Sequence, residues 1–198
     1  ATAITFDETL PSPFTVGAVI TTGGTVVAGQ WNPTNTGIDI TVPIDNDASL
    51  TDGTLQIRAN VAGGGFEDLG TPYTILVGDL NANKTLSFNA ATFEALSGGL
   101  ANLEVISFTA IITDKAANAT TGTQSATAIT FDETLPTAFT TGLVTAVGGV
   151  VVADKWNATN THADVTIPLE TADVSLVDGT IQMQTSIDGG ATWVDFMP

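Results

Sequence analysis

The chain has 198 residues, no cysteine, one histidine and four basic residues against 21 acidic ones, a formal net charge of −17 at pH 7. The missing thiols exclude disulfides and thiol chemistry, and the acidic balance argues against nucleic acid or an anionic membrane as partner. No apolar run approaches the roughly 20 residues that span a bilayer, so no membrane insertion is expected within the segment, and Ala1 does not open a signal peptide.

Threonine, valine and isoleucine dominate short alternating runs punctuated by Gly, Asn and Asp, the pattern of strands. In chain order the expected strands are residues 2–6, 18–21, 25–28, 38–44, 53–61, 73–77, 84–89, 105–113 and 121–131. Within the fifth, Leu55 and Ile57 alternate with Gln56 and Arg58, as in a sheet with one wet face. In the eighth, Ile106, Phe108, Ala110 and Ile112 form the more apolar face. Turns are marked by Gly23-Gly24, Asp52-Gly53, Gly63-Gly64-Gly65 and Gly98-Gly99. Residues 90–96 read instead as a short helical turn stopped by Gly98. Seven to nine strands at this spacing predict an all-β fold, a β-sandwich, with a closed barrel as the alternative.

The elements repeat. Residues 1–11 read ATAITFDETLP, and residues 126–136 read the same; at an offset of 125, 25 of the first 36 positions are identical. Asp39-x-Thr41-x-Pro43 returns as Asp164-x-Thr166-x-Pro168, and after one inserted residue Asp52-Gly53-Thr54 returns as Asp178-Gly179-Thr180. Residues 1–125 are therefore a complete repeat, and residues 126–198 an incomplete second copy. A period of this length is an ordinary domain, longer than a solenoid unit, so each bead is expected to bury its own core. The stop in mid-period at Pro198 admits two readings: a slice of a longer array, or a bead whose missing strands come from another chain. Residues 73–198 also make one complete, circularly permuted period.

Residues 108–118, FTAIITDKAAN, resemble the V-x-A-x-V-T-D-x-A-G-N ending of bacterial immunoglobulin-like repeats, and the following ATAITFDETLP resembles the V-D-T-T-A-P junction between them. Ala117 stands where those repeats carry glycine, and Glu133 where they carry threonine. The resemblance implies Ig-like β-sandwich domains in tandem, as in the stalks of large bacterial surface adhesins. It also implies calcium at the junctions, with Asp114, Asn118, Asp132 and Glu133 as ligands and Asp7 and Glu8 serving the preceding junction. Ca²⁺ takes 6–8 oxygen ligands, which two loops supply between them; the alternative is solvated turn acids, since no EF-hand or RTX spacing is present. Pro11 and Pro136 lack an N–H and hold the preceding residue extended, so the linkers are expected to be stiff.

Two further motifs stand out. Residues 186–193 fit S-x-D-x-G-x-T-W, which resembles the Asp-box, a hairpin-turn device and not a catalytic element. Trp31-Asn32-x-Thr34-Asn35-Thr36 recurs as Trp156-Asn157-x-Thr159-Asn160-Thr161. It reads either as a carbohydrate platform built on Trp31 and Trp156 or as a core tryptophan followed by a side-chain-bonded turn. With His162 alone, no Ser-His pairing and no metal-type His cluster, an enzyme is not expected. The readings left are a spacer of an extracellular, cell-surface stalk, a filament subunit joined by strand donation between identical chains, and a carbohydrate-binding module.

Overall fold

The computed structural model describes residues 4–196; Thr2 and Ala3 of the first expected strand, and Pro198, lie outside them. The chain divides between Thr134 and Leu135 into two compact units. The fold is all-β with little helix.

The first unit contains β1 (Val19–Thr22), β2 (Gln30–Trp31), β3 (Gly37–Ile44), β4 (Thr54–Val61), β5 (Phe66–Thr74), β6 (Ala82–Asn89), β7 (Val105–Thr113), β8 (Ala119–Thr121) and β9 (Ile129–Phe131). One sheet runs β1-β3-β6 and the other β2-β9-β7-β4-β5, with β8 also on β7. All pairings are antiparallel except β2 with β9. Side chains alternate across a strand, and the alternation aims both sheets at one core. Ile38, Ile40, Val42 and Ile44 come from β3, Leu55, Ile57, Ala59 and Val61 from β4, and Ile106, Phe108, Ala110 and Ile112 from β7. Trp31 and Phe93 join them with ring centroids 4.6 Å apart. Phe93 is carried by the helical turn α1 (Ala90–Glu94), whose first turn is capped by Asn89 Oδ1 accepting from Thr92 N–H at 2.9 Å.

Several expectations change. Residues 25–28 form no strand, although Val26 and Val27 are apolar, because neighbouring side chains take the backbone of Thr25. Its carbonyl accepts from Asn32 Nδ2 (2.7 Å) and Asn35 Nδ2 (3.2 Å), and its N–H donates to Thr34 Oγ1 (2.8 Å). This loop needs Gly24, whose φ is +56° and whose Cβ would stand 2.2 Å from the Thr34 carbonyl oxygen. The expected strand 73–77 begins earlier, at Phe66, and ends at Thr74. The expected strand 121–131 is split into β8 and β9. Gln56 does not face water: it is buried, its amide donating to the carbonyls of Ile57 (2.6 Å) and Leu69 (3.2 Å).

The second unit contains β10 (Val144–Val147), β11 (His162–Val165), β12 (Gln184–Thr185) and β13 (Val194–Asp195). It reproduces the first unit locally. Val144 pairs with Val165 as Val19 pairs with Ile40, the same register at an offset of 125. The turn at Ala48–Leu50, capped by Asp47, returns at Val174–Leu176, capped by Asp173. The Asn157, Thr159 and Asn160 side chains repeat the loop bonds of Asn32, Thr34 and Asn35, as in Asn157 Nδ2 to the Val150 carbonyl at 2.7 Å.

Candidate functional site

The segment that repeats without change, ATAITFDETLP, is where the chain's distinctive chemistry collects. In its second occurrence it supplies β9, which closes the larger sheet of the first unit by lying between β2 and β7. Backbone hydrogen bonds hold both sides: Thr130 N–H donates to the Gly29 carbonyl (2.9 Å), Phe131 N–H to Glu104 (2.8 Å) and Asp132 N–H to Trp31 (2.9 Å). The Leu103 N–H in turn donates to the Phe131 carbonyl at 2.6 Å. Ile129 and Phe131 point inward and are 0% and 6% exposed, whereas Ile4 and Phe6, their counterparts in the first occurrence, are 94% and 82% exposed. Burying an Ile or Phe side chain contributes about 1.5–3 kcal/mol, so identical sequences carry very different weight in the two places.

Beyond β9 the segment is latched by a side chain. Trp31 Nε1–H donates to Glu133 Oε1 at 3.1 Å, which satisfies the one polar atom of a wholly buried indole. Glu94, at the end of α1, lies against the same carboxylate. Burial first, then the charge of Glu133 and a hydrogen bond shared with it, raise the Glu94 carboxyl above the ordinary glutamate range.

The first occurrence is held at the opposite end of β7. Asp114 accepts from Ala116 N–H and Asn118 N–H, both at 2.8 Å, and from Asn118 Nδ2 at 2.9 Å. Asn118 Nδ2 also reaches the Asp7 carbonyl at 3.2 Å, and Thr120 Oγ1 donates to the Pro11 carbonyl at 2.7 Å. The chain then runs on beside the residues that follow β8, where Thr123 N–H donates to the Phe14 carbonyl and Val16 N–H to the Thr123 carbonyl. Residues 7–16 are thus laid along the first unit.

Five of the six acidic and amide candidates consequently fall into two groups. Asp7, Asp114 and Asn118 meet at one end of β7; Asp132 and Glu133 sit at the other, where Val105 pairs with Thr130, roughly 26 Å away along the strand. Asp132 Oδ1 accepts from Thr134 N–H and Asp7 Oδ1 from Thr9 N–H, each at 3.1 Å, while Glu8 is exposed. Among the described residues no three His, Cys, Asp or Glu converge as a metal group. Asp114 accepts from three N–H donors within its own turn.

The paired tryptophans separate as well. Trp31 is sealed in the core with no ring face free for a sugar, while Trp156 is 61% exposed. The Asp-box segment forms the loop between β12 and β13. Asp188 Oδ1 accepts from Thr192 N–H (2.9 Å), Asp188 Oδ2 from Thr192 Oγ1 (2.6 Å), and Ser186 Oγ also reaches Asp188 (2.7 Å). Led by the Thr192 hydroxyl, these bonds hold the Asp188 carboxyl well below the usual carboxylate range. His162 bonds the Thr161 hydroxyl at 3.0 Å.

Sequence reasoning singled out Glu133 and Trp31 separately but missed their pairing, and missed Glu94 altogether. The only signal for the pair was that Trp31 and Glu8 recur with their neighbours at the same offset. Compared with known proteins, the chain matches no family model, no curated protein and no solved structure.

Proposed function

We propose that this chain is a structural repeat module of an extracellular surface protein, a run of Ig-like β-sandwich beads that serves as a stalk or spacer. The observation that carries this reading is the shared segment: ATAITFDETLP closes one bead with Ile129 and Phe131 and, in its other occurrence, anchors to the Asp114 turn of a bead through Asp7. Sheet orders of β1-β3-β6 and β2-β9-β7-β4-β5 around one core support the Ig-like assignment. The polar groups that recur in both copies are engaged in their own turns, which favours a scaffold over a catalyst. A net charge of −17 suits a surface exposed to salt.

The test is small-angle scattering from arrays extended by one, two and three further periods. A stalk lengthens linearly, by about 40 Å for each added period. A maximum dimension that grows more slowly than linearly, as in folded-back beads, contradicts the reading.

A further inference from the structure

The first unit carries an exposed apolar segment at residues 4–6 that forms no strand. Ile4 and Phe6 lie almost fully exposed, yet the same residues in the same sequence, Ile129 and Phe131, are core. In the second occurrence they occupy a slot between β2 and β7. The slot is lined by the Gly29 and Trp31 carbonyls on the β2 side, the backbone of Leu103 and Glu104 leading into β7, and the Trp31 indole N–H aimed at the glutamate that follows.

We propose that residues 4–8 are an interaction strand whose partner is a second copy of this bead, received between that bead's β2 and β7, with Ile4 and Phe6 in its core and Glu8 accepting from its tryptophan. This rests on the bead-array reading and deepens it by naming the strand, the slot and the latch. Three features fit the assignment. The apolar residues alternate with Thr5, as Ile129 and Phe131 alternate with Thr130, so insertion in the same register buries both. The backbone groups that β9 uses belong to residues present in the first occurrence, so a parallel pairing with β2 and an antiparallel pairing with β7 are both available. The contact is head-to-tail: the slot of a bead and its own residues 4–8 are different surfaces, so the contact propagates and does not close on itself.

The experiment opens the slot in the full chain with Ile129→Asp and Phe131→Asp, which eject β9 while leaving residues 1–11 intact. Two readouts follow, mass by light scattering after size exclusion and thermal midpoint with the synthetic peptide ATAITFDETLP in excess. The open chain is expected to self-associate with rising concentration, and the peptide to raise its midpoint by about 5 °C. Replacing the peptide glutamate by glutamine weakens peptide binding about 3- to 10-fold. Either readout, removed when Ile4→Asp and Phe6→Asp are added to the chain or the peptide, supports the proposal. Absence of both, or persistence of either with those changes present, overturns it. The peptide arm applies even if the open chain loses its folded transition, because docking then restores one. Failure here leaves the linear growth of extended arrays untouched, and the scattering result in turn does not decide the docking.

Discussion

Ala117 occupies the third position of the turn after Asp114 with φ +72°, a left-handed conformation that costs an L-residue about 1–2 kcal/mol. Glycine there removes the cost, and its greater freedom in the unfolded chain takes back about 0.4–1 kcal/mol. Ala117→Gly is therefore expected to stabilise the first unit by about 0.5–1 kcal/mol in denaturant titrations; a loss of stability shows that the Ala117 methyl group makes a favourable contact. Glu94 works in the opposite sense from most carboxylates. Its folded-state affinity for protons is raised by burial and by Glu133, so its protonated form favours folding. That contribution is full below the ordinary glutamate value near 4.5 and is lost as pH rises through the elevated one. Glu94→Gln should raise the thermal midpoint at neutral pH by the equivalent of about 0.5 kcal/mol, and the gain should vanish in acid. A gain that is constant with pH means that charge is not its cause.

β9 shows how one sequence acquires two energetic roles at the scale of an element. Ile129 pairs with Ile106 in the core, so Ile129→Ala should cost about 2–4 kcal/mol. The same change at Ile4, in an identical stretch, should stay within about 0.5 kcal/mol. Equal costs in urea melts contradict the assignment of β9 as the closing strand. The long ladders β3, β4, β6 and β7 were legible because alternation of Ile, Val and Leu with polar residues is a direct imprint of a one-sided core. β5 was not, because Glu67, Asp68 and Gly70 at its start read as a loop; the strand exists because Leu69 is buried and pairs with Ile57. The run at 25–28 read as a strand for the reverse reason: its valines alternate with nothing that packs, and Asn32 and Asn35 capture the backbone. The junction acids were legible as a cluster in sequence only, since β7 separates them into two ends.

For the whole molecule, the two units share a register, a cap and a loop at corresponding residues, yet differ in burial. Leu55 and Val19 are core in the first unit, whereas Ile181 and Val144, their counterparts, are half or more exposed. The second unit holds counterparts of β1, β3, β4 and β5. The acidic charge is shared over both units, and among the described residues no three His, Cys, Asp or Glu converge in either. Adding millimolar Ca²⁺ or EDTA should accordingly leave the thermal midpoint of this chain unchanged; a rise of several degrees with Ca²⁺ alone points to carboxylates that rearrange around the ion. Hydrogen exchange tests the shared-strand arrangement most directly, with one additional period placed ahead of Ala1. In the present chain the amides of Thr130, Phe131 and Asp132 are bonded and should exchange slowly, while those of Thr5 and Phe6 should exchange freely. In the extended chain Thr5 and Phe6 should become as protected as Thr130 and Phe131, and free exchange there despite a folded preceding bead would contradict the closing-strand account.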